Sequence, residues 1–446
     1  MSKTSRLDCI STKQERIAEL ARQSPEMPFT NLAHHIDVDF LCEAFRRTRK
    51  DGAAGVDGQT WADYEQGLDE NLPSLLNRFK SGTYQAPPVR RTNIPKGSGT
   101  ETRPIGIPTL EDKVLQRAVT MILESIYEQD FHDSSFGFRR GRSAHGALKS
   151  FRDQAMAFDG GWVIDLDIKG FFDALVHKHL RDFLDIRVRD GVIRRVIGKW
   201  LNAGVMESGQ VTYPDSGTPQ GGVVSPLLAN IYLHYALDNW FLTEVQPRLR
   251  GRSFMVRYAD DVLIVVQQES DAQRMMEVLP KRLGRFGLTM HPVKSRLVPF
   301  EKPPFVQRDQ GDEVGPQTPG TFNFLGFTHY WGRTRKGGWA IKVKTARDRF
   351  QRTLAALNAW CRDHRHWPVA VQHAKLSLKL KGHCAYFGLT GNSQCLSAVG
   401  HRAESIWRKW LNRRSQRNSM PWWRFVLLLK RYPLPRMQAI HSILIK

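Results

Sequence analysis

Helical spacing of apolar residues characterises the beginning of the chain. Leu41, Ala44 and Phe45 fall on one helical face, and residues 11–80 as a whole have the composition of helices. A stretch rich in glycine and aspartate at residues 50–58 interrupts them as a turn. The pattern predicts a helical N-terminal segment over residues 1–80.

The spacing becomes mixed after this segment. It predicts an extended piece over 87–95, a glycine-rich turn over 96–100 and a helix over 110–127. Two later runs, near 162–168 and 262–266, have the length and the aliphatic content of buried strands. Strands and helices in this mixture predict an α+β domain, which we place at residues 81–330.

The last part of the chain returns to helical spacing. Phe350, Leu354 and Leu357 recur at helical intervals, and later stretches repeat the pattern. A stretch rich in proline, glycine and charge over 301–320 is typical of a linker or a surface excursion. We therefore predict a third, mainly helical segment over residues 331–446.

Composition indicates a globular protein. The 446 residues, 41% of them hydrophobic, are enough for the cores of two or three domains. The five cysteines are an odd number and include no CxxC pair, so neither a disulfide framework nor a zinc site is indicated. Residues 1–16 lack the apolar core of a signal peptide, and no apolar run approaches the length of a membrane span. We expect a cytoplasmic protein without a membrane partner.

The positive charge is concentrated in the third segment. The chain carries a net charge of +22, and residues 331–446 account for +21 of it, with 24 Lys and Arg against three acids. Eight of the 12 tryptophans lie in the same segment. Basic side chains neutralise phosphates and aromatic faces stack on bases, so the segment is predicted to bind nucleic acid. The alternative is a solvated basic face over a tryptophan-rich core, although such a local charge repels itself without a polyanion.

Two adjacent carboxylates, Asp260 and Asp261, stand before the second strand-like run in the stretch RYADDVLIVV. Neighbouring like charges beside a buried strand are costly unless a partner stabilises them. A β-turn between two strands is one explanation, because aspartate forms turns readily. A metal site is the other, and the pair alone does not decide between them.

A second acidic group lies in the first strand-like run. Period-two alternation over 162–168 places Asp165 and Asp167 on the same face. If adjacent strands bring Asp167 against the tip that carries Asp260 and Asp261, Mg²⁺ would neutralise the cluster. Two such ions activate an attacking oxygen and stabilise a leaving oxygen in phosphoryl transfer. The acidic groups together therefore suggest a two-magnesium phosphoryl-transfer site.

Seven sequence blocks occur in one order between about residues 85 and 330. They are RPIGIPTLEDKVLQRAV (103–119), SSFGFRRGRSAHGAL (134–148), VIDLDIKGFFD (163–173), GTPQGGVVSPLLANIYLH (217–234), RYADD (257–261), GLTMHPVKS (287–295) and FNFLGF (322–327). In this order they resemble the group II intron reverse transcriptases, also called intron-encoded maturases, and the set is far more specific than any single block. The resemblance implies a right-hand polymerase with fingers and palm, a helical N-terminal extension and a helical, basic thumb and maturase region.

The resemblance implies roles for the acidic residues. Asp167, Asp260 and Asp261 resemble the catalytic triad that binds two Mg²⁺ ions, and the carbonyl of Ile168 would be a further ligand. Asp165 resembles a neighbour that does not bind metal.

Other residues resemble the family's nucleotide contacts. They are Arg103 and, less closely, Lys96 at the triphosphate, Phe172 as the aromatic gate under the sugar, Gln220 beside the incoming dNTP, and Lys294 near the active site. Two alternatives stay open: Phe172 could be a core residue beside Phe171, and Lys294 could be a solvated lysine.

Outside these blocks the resemblance is looser. Residues 41–60 resemble the part of the N-terminal extension that contacts template RNA. Four residues resemble the support of the primer end, namely Phe324, Leu325, Gly326 and Phe327. The stretches 380–388 and 410–417 resemble the thumb and maturase region, in which Arg413, Arg414 and Arg417 are predicted to bind RNA. The family's optional DNA endonuclease uses paired cysteines, and because no cysteine follows Cys395, second-strand cleavage is not expected.

The resemblance implies an RNA-directed DNA polymerase that binds its group II intron RNA, assists splicing and copies the intron into DNA during retrohoming. Its partners would be the intron RNA, an RNA template with a DNA primer, dNTPs and target DNA, in association with a bacterial nucleoid. One alternative is an RNA-binding maturase with a decayed polymerase, which the matching acidic residues, Phe172 and Gln220 argue against. Another is a domesticated reverse transcriptase in host repair or phage defence, and the DNA flanking the gene would distinguish it.

Overall fold

A computed structural model describes residues 3–95, 102–207, 210–213, 217, 221–303, 320–334, 336–415 and 419–443. The helices in these ranges are α1 (Lys3–Gln23), α2 (Val38–Arg46), α3 (Trp61–Gln66), α4 (Leu68–Ser81), α5 (Leu110–Asp130), α6 (Ala144–Ala157), α7 (Phe171–Ala174), α8 (His177–Arg187), α9 (Gly191–Leu201), α10 (Ser225–Leu233), α11 (Glu269–Gly284), α12 (Arg347–Asp363), α13 (Val369–Phe387), α14 (Ser393–Asn412) and α15 (Trp422–Arg431). Two π-helical segments, His234–Asp238 and Trp240–Val245, follow α10. Short 3₁₀ segments lie at Ala33–His35 and Gln246–Arg248.

The strands are β1 (Val89–Pro95), β2 (Thr102–Ile107), β3 (Trp162–Leu166), β4 (Val205–Glu207), β5 (Gln210–Thr212), β6 (Ser253–Tyr258), β7 (Asp261–Val266), β8 (Arg296–Pro299), β9 (Phe322–Phe324), β10 (Phe327–Arg333) and β11 (Trp339–Thr345). They form three sheets, with strand orders β2-β1-β4-β5, β6-β7-β3-β8 and β11-β10-β9. β1 pairs antiparallel with β2 and parallel with β4. The predicted α+β class is confirmed.

The chain divides into two compact units. The first comprises Met1–Ser143, Leu166–Leu263 and Gln273–Arg296, and the second comprises Ala144–Asp165, Ile264–Ala272 and Leu297–Lys446. Strands of the sheet β6-β7-β3-β8 contribute residues to both units. These units differ from the three predicted segments, whose boundaries at residues 80 and 330 remain predictions about function.

Helix α5 forms the centre of the first unit. It is buried along most of its length, and α1 and α2 pack against it. The Gln14 side-chain amide donates to the Met121 carbonyl of α5 (2.8 Å). The helix begins after Thr109, whose hydroxyl accepts from the Asp112 N–H. The predicted helix over 110–127 is thus confirmed and extended by one turn.

The N-terminal extension is fixed to this unit by two buried charged residues. The Arg187 guanidinium forms an ion pair with Asp130 (2.8 Å) and donates to the carbonyls of Ala21 and Ser24. The Asp190 carboxylate caps α9 and also accepts from the backbone N–H of Leu32. Arg187 and Asp190 thus form hydrogen bonds to residues of the N-terminal extension, and a buried charged group needs such partners. Residue 80 is therefore not a boundary between compact units.

The second unit contains the helical C-terminal segment, whose predicted helical character is confirmed by α12–α15. Helices α12–α15 share a buried apolar cluster that includes Leu357, Leu376, Val399 and Phe425. Trp407 lies in this cluster, and its indole N–H donates to Gln372 (2.9 Å). Within the described ranges, no helix is long and apolar enough to cross a membrane.

Candidate active site

The adjacent acids lie at the tip of a hairpin. β6 ends at Tyr258, Ala259 and Asp260 form a two-residue turn, and β7 begins at Asp261. Ala259 has φ of +56°, a conformation that is strained for a residue with a β-carbon. The turn interpretation of the pair is therefore correct, and it does not exclude the metal-site interpretation, because the turn is what places two carboxylates side by side.

A buried ion pair supports this turn through a hydrogen bond to its backbone. Arg257 and Asp238 are both 0% exposed, and the guanidinium of Arg257 donates to both carboxylate oxygens of Asp238. Its remaining nitrogen donates to the Asn230 side chain (2.9 Å) and to the carbonyl of Ala259 (3.1 Å). A charged group buried in this way is stable only when all its donors are satisfied. The network therefore fixes the backbone immediately before Asp260.

A second loop closes on the same turn. The Phe136 N–H donates to the Arg257 carbonyl and the Arg257 N–H to the Ser134 carbonyl, both at 2.8 Å. Gly137 lies so close that a β-carbon there would stand 2.3 Å from the Ala259 nitrogen. Only glycine permits this approach, so residues 134–137 support the acidic turn.

Asp167 is held by a different segment of the first unit. Its carbonyl accepts from the His291 N–H (2.8 Å), and its own N–H donates to the Ser295 hydroxyl (3.1 Å). The Lys169 N–H donates to the Thr289 carbonyl (2.9 Å), so Ile168 and Met290 face each other as an antiparallel bridge. In such a bridge the carbonyl of Ile168 points away from Met290.

This bridge also corrects the predicted length of the strand. β3 ends at Leu166, two residues before the predicted end, because Asp167 and Ile168 pair with residues 289–291 instead. Asp165, predicted to be a bystander, lies within β3 and is partly exposed.

The carboxylates of Asp260 and Asp167 influence each other. Burial raises the pKa of Asp260, and the negative charge of Asp167 raises it further, while the positive charge of Arg103 opposes both effects. The two carboxylates are therefore close enough to repel each other, and a bound cation would relieve that repulsion.

These donors suit a hard cation, although they do not form a closed cluster. Carboxylate and carbonyl oxygens, as supplied by Asp167, Asp260, Asp261 and Ile168, are the ligands that Mg²⁺ prefers. Among the residues described above, however, no three His, Cys, Asp or Glu side chains converge as closely as a metal site requires.

Lys294 lies beside this acidic group. Its ammonium nitrogen is 3.6 Å from a carboxylate oxygen of Asp167. Both side chains are partly exposed, so the pair contributes little to stability. Lys294 therefore lies near the acids, and its role as a nucleotide contact stays a prediction.

Phe172 lies at the edge of the site and is partly exposed, whereas Phe171 is buried. Gly170, in a left-handed conformation, begins the short helix α7 that carries both rings. Gly217 packs against the backbone of Phe172, since a β-carbon there would lie 3.0 Å from the Phe172 carbonyl oxygen. Phe171 is therefore a core residue, and the gate role of Phe172 stays a prediction.

Three predicted site residues lie outside the described part of the chain: Lys96, Gln220 and Arg417. Arg103 is exposed on β2, opposite Ile94 of β1, and its charge reaches Asp260.

The predicted primer-support residues belong to the second unit. Phe324 ends β9, Phe327 begins β10, and Leu325 and Gly326 form the turn between them with φ of +49° and +80°. Two positive φ values match the tight turn of a hairpin. The Tyr386 hydroxyl donates to the Leu325 carbonyl (2.9 Å), which holds the partly exposed tip.

The predicted RNA-binding arginines differ in their surroundings. Arg413 is exposed, and its guanidinium lies 5.2 Å from the centre of the Trp410 ring. Arg414 instead donates to the carbonyls of Arg365 and Trp367. Arg414 thus secures the end of α12 and is less available to a phosphate.

Sequence reasoning missed Arg257, Asp238 and Asn230 as parts of the site. The available signal was the presence of charged and amide residues inside otherwise apolar stretches, at 225–241 and 253–258. Such residues are rarely buried without partners. Their pairing could not be read from spacing, because they lie on separate elements.

The stretch that contains these acidic residues matches a known protein family. The family model described as "Reverse transcriptase (RNA-dependent DNA polymerase)" matches residues 94–329, more than half of the chain. Together with the α+β structure, this match confirms the predicted right-hand polymerase fold.

Several curated proteins are similar over part of their length. Group II intron-encoded protein LtrA of Lactococcus lactis subsp. cremoris is 39% identical over 281 residues, which cover 60% of this chain and 46% of LtrA. Protein YkfC of Escherichia coli (strain K12) is 35% identical over 292 residues, covering 58% of this chain and 76% of YkfC. Nuclear intron maturase 4, mitochondrial, of Arabidopsis thaliana is 29% identical over 161 residues, covering 36% of this chain and 20% of that protein. The chain thus spans about half the length of LtrA.

Proposed function

The chain belongs to the reverse transcriptase family, in its group II intron-encoded branch, and on that premise we propose that it is an RNA-directed DNA polymerase. Its reaction is the attack of a primer 3′-oxygen on the α-phosphate of a dNTP, which breaks the bond between the α- and β-phosphates and releases pyrophosphate. The observation that carries the proposal is the hairpin tip, where a buried ion pair positions Asp260 within electrostatic reach of Asp167. Extension of a DNA primer on an RNA template is the direct test.

Different residues of the first unit have different proposed roles in this reaction. Asp167, Asp260 and Asp261, with the carbonyl of Ile168, would hold two Mg²⁺ ions, which would supply charge neutralisation and activation of the attacking oxygen. Arg103 would bind the triphosphate, because its charge reaches Asp260 and an arginine fork matches phosphate oxygens. Lys294 keeps a positive charge beside Asp167. Lys96 and Gln220, which lie outside the described residues, are the other proposed nucleotide contacts.

Phe172→Ala should weaken discrimination between deoxyribonucleotides and ribonucleotides. A ring below the sugar rejects a 2′-hydroxyl sterically, so its removal should lower the dNTP to rNTP ratio of kcat/KM by roughly 10- to 100-fold. Single-nucleotide incorporation kinetics measures both constants. Phe171→Leu is the matched control, since it changes the buried neighbour and should alter stability without altering the ratio. An unchanged ratio in Phe172→Ala would remove the gate assignment.

We further propose that residues 331–446 bind the intron RNA and thereby assist splicing, after which the polymerase copies the RNA into target DNA. The charge of +21 supports this, and so do exposed aromatic rings accompanied by cations. Trp422 and Trp423 are 49% and 62% exposed. Arg408 lies 4.4 Å from the first ring and Arg424 lies 5.3 Å from the second. Aromatic faces with adjacent positive charge suit unpaired bases and their phosphates.

The salt dependence of RNA binding should locate this surface. Arg402, Lys409 and Arg413 are exposed on or just after α14. Replacing all three with Gln should flatten the slope of log affinity against log salt by about 0.7 for each phosphate of single-stranded RNA that the protein no longer neutralises. Filter binding to the intron RNA at several salt concentrations gives the slope, and splicing of a precursor RNA should slow in parallel.

Arg414→Gln is the control for this charge removal. It also removes one charge, but because Arg414 secures the Arg365 and Trp367 carbonyls, its main effect should be a lower thermal midpoint with little change in slope. If the triple variant bound and spliced like the wild type, the RNA surface would have to lie elsewhere, for example in residues 11–80.

A further inference from the structure

Phe138 combines a strained backbone with an exposed ring. Its φ is +58°, in the left-handed region that favours glycine, and 57% of its surface is exposed. A bulky residue is rare in this conformation, and such strain occurs preferentially at functional sites. Glycine would adopt the backbone more easily and would not expose an apolar ring to water. The side chain itself therefore needs an explanation.

The residues on both sides hold Phe138 in this conformation. The Gly137 carbonyl accepts from the buried Asn230 side chain (2.7 Å). The largely buried guanidinium of Arg139 donates to Glu128 and to the carbonyls of His132 (2.6 Å) and Ser135 (2.8 Å). With both neighbours fixed, the backbone between them has little freedom, and the ring is pre-organised.

The backbone that carries the ring lies beside the acidic turn. Gly137 packs directly on Ala259, the residue before Asp260, and Asn230 also accepts from Arg257 of the supporting ion pair. Phe138 and Ala259 come from two different loops, and both have a left-handed backbone conformation. Because Gly137 packs on Ala259, the two residues lie near each other. An exposed apolar ring at this point is available to whatever approaches the carboxylates.

We propose that Phe138 packs against the primer–template at its reacting end, where the ring contacts a base or a sugar of the nucleic acid. The proposal rests on the polymerase function proposed above and adds a positioning residue to it. An aromatic face accepts any base, which suits an enzyme that must copy every sequence. Because the ring is already fixed, little conformational entropy is lost on binding.

Three variants of Phe138 separate the ring from the strain. Phe138→Ala removes the ring and keeps a β-carbon at positive φ, Phe138→Gly removes the ring and also relieves the strain, and Phe138→Tyr keeps an aromatic ring. Ile186→Ala, at an exposed apolar residue of α8 in the same unit, is the matched control. The probe is a labelled DNA primer annealed to an RNA template. Fluorescence anisotropy without metal measures its dissociation constant, and steady-state extension gives KM and kcat.

Both ring-removing variants should weaken primer–template binding about 10-fold or more, as expected when one base no longer stacks on an aromatic ring. The salt slope should stay unchanged, because apolar packing releases no counterions. In these two variants KM for primer–template should rise more than kcat falls. Phe138→Tyr should restore both binding and KM. The glycine variant should have a higher thermal midpoint than the alanine variant while binding equally weakly, which excludes unfolding as the cause.

Three results would overturn the proposal. The first is wild-type binding by Phe138→Gly, and the second is a loss confined to kcat, which would mean that the loop only supports the acidic turn. The third is an equal loss of binding in Ile186→Ala. Failure of the polymerase proposal itself has a different signature, because the wild-type chain would then fail to extend the primer–template even where it binds it.

Discussion

Replacing Asp260 and Asp261 together with Asn is expected to abolish primer extension on an RNA template. Asparagine keeps the size of the side chains and of the turn, but it removes the charge that would hold the catalytic ions. Loss of several kcal/mol of transition-state stabilisation corresponds to a rate decrease of roughly 10³-fold or more. RNA binding should remain almost unchanged, because +21 of the net charge of +22 lies in residues 331–446. Primer extension and filter binding measure the two properties separately.

Asp165→Asn provides the matched control for this experiment. It removes one carboxylate charge two residues before Asp167, from a side chain that the proposed ion site does not use, and it should retain most of the activity. Burial and Asp167 raise the pKa of Asp260, so wild-type activity should also fall on acidification as protons compete with the ions for this carboxylate. Wild-type extension by the double variant would show that the metal site lies elsewhere.

Arg257→Met should cause the largest loss of stability among single substitutions near the site. It leaves Asp238, which is 0% exposed, without a counter-ion, and breaking such a pair costs about 3–5 kcal/mol. Asn230 and the carbonyl of Ala259 also lose their donor, so the turn that carries Asp260 should become less ordered. Thermal or urea unfolding gives the stability, and primer extension of the folded fraction gives the activity.

The double variant Arg257→Met with Asp238→Leu separates charge from packing. Replacing both partners by apolar residues of similar size removes the uncompensated charge, so the double variant should be more stable than either single variant. Its activity should nevertheless stay low, because the Ala259 carbonyl is still unsupported. If the stability losses of the two single variants simply added in the double variant, Arg257 and Asp238 would not stabilise the protein as a coupled pair.

The elements with regular apolar spacing could be predicted from the chain alone. The spacing over 110–127 anticipated α5, and the spacing from Phe350 onward anticipated α12–α15. These predictions succeed because burial of one helix face repeats locally, with the period of the helix. The acidic residues were found for a similar reason: carboxylates beside an aliphatic run conflict with burial, and that conflict is visible in the sequence.

The sequence by itself determined which residues could form the site, namely two acidic groups at the ends of strand-like runs, and where the positive charge lies. The tertiary structure alone decided what holds the site in place. Arg257, Asp238, Asn230 and Gly137 come from separate elements, and their hydrogen bonds form only when those elements meet. It also decided that β3 ends early, that residues 1–80 share a unit with α5, and that Arg414 binds carbonyls. Long-range polar pairing has no period along the chain, so its partners are set by packing and cannot be read from local pattern.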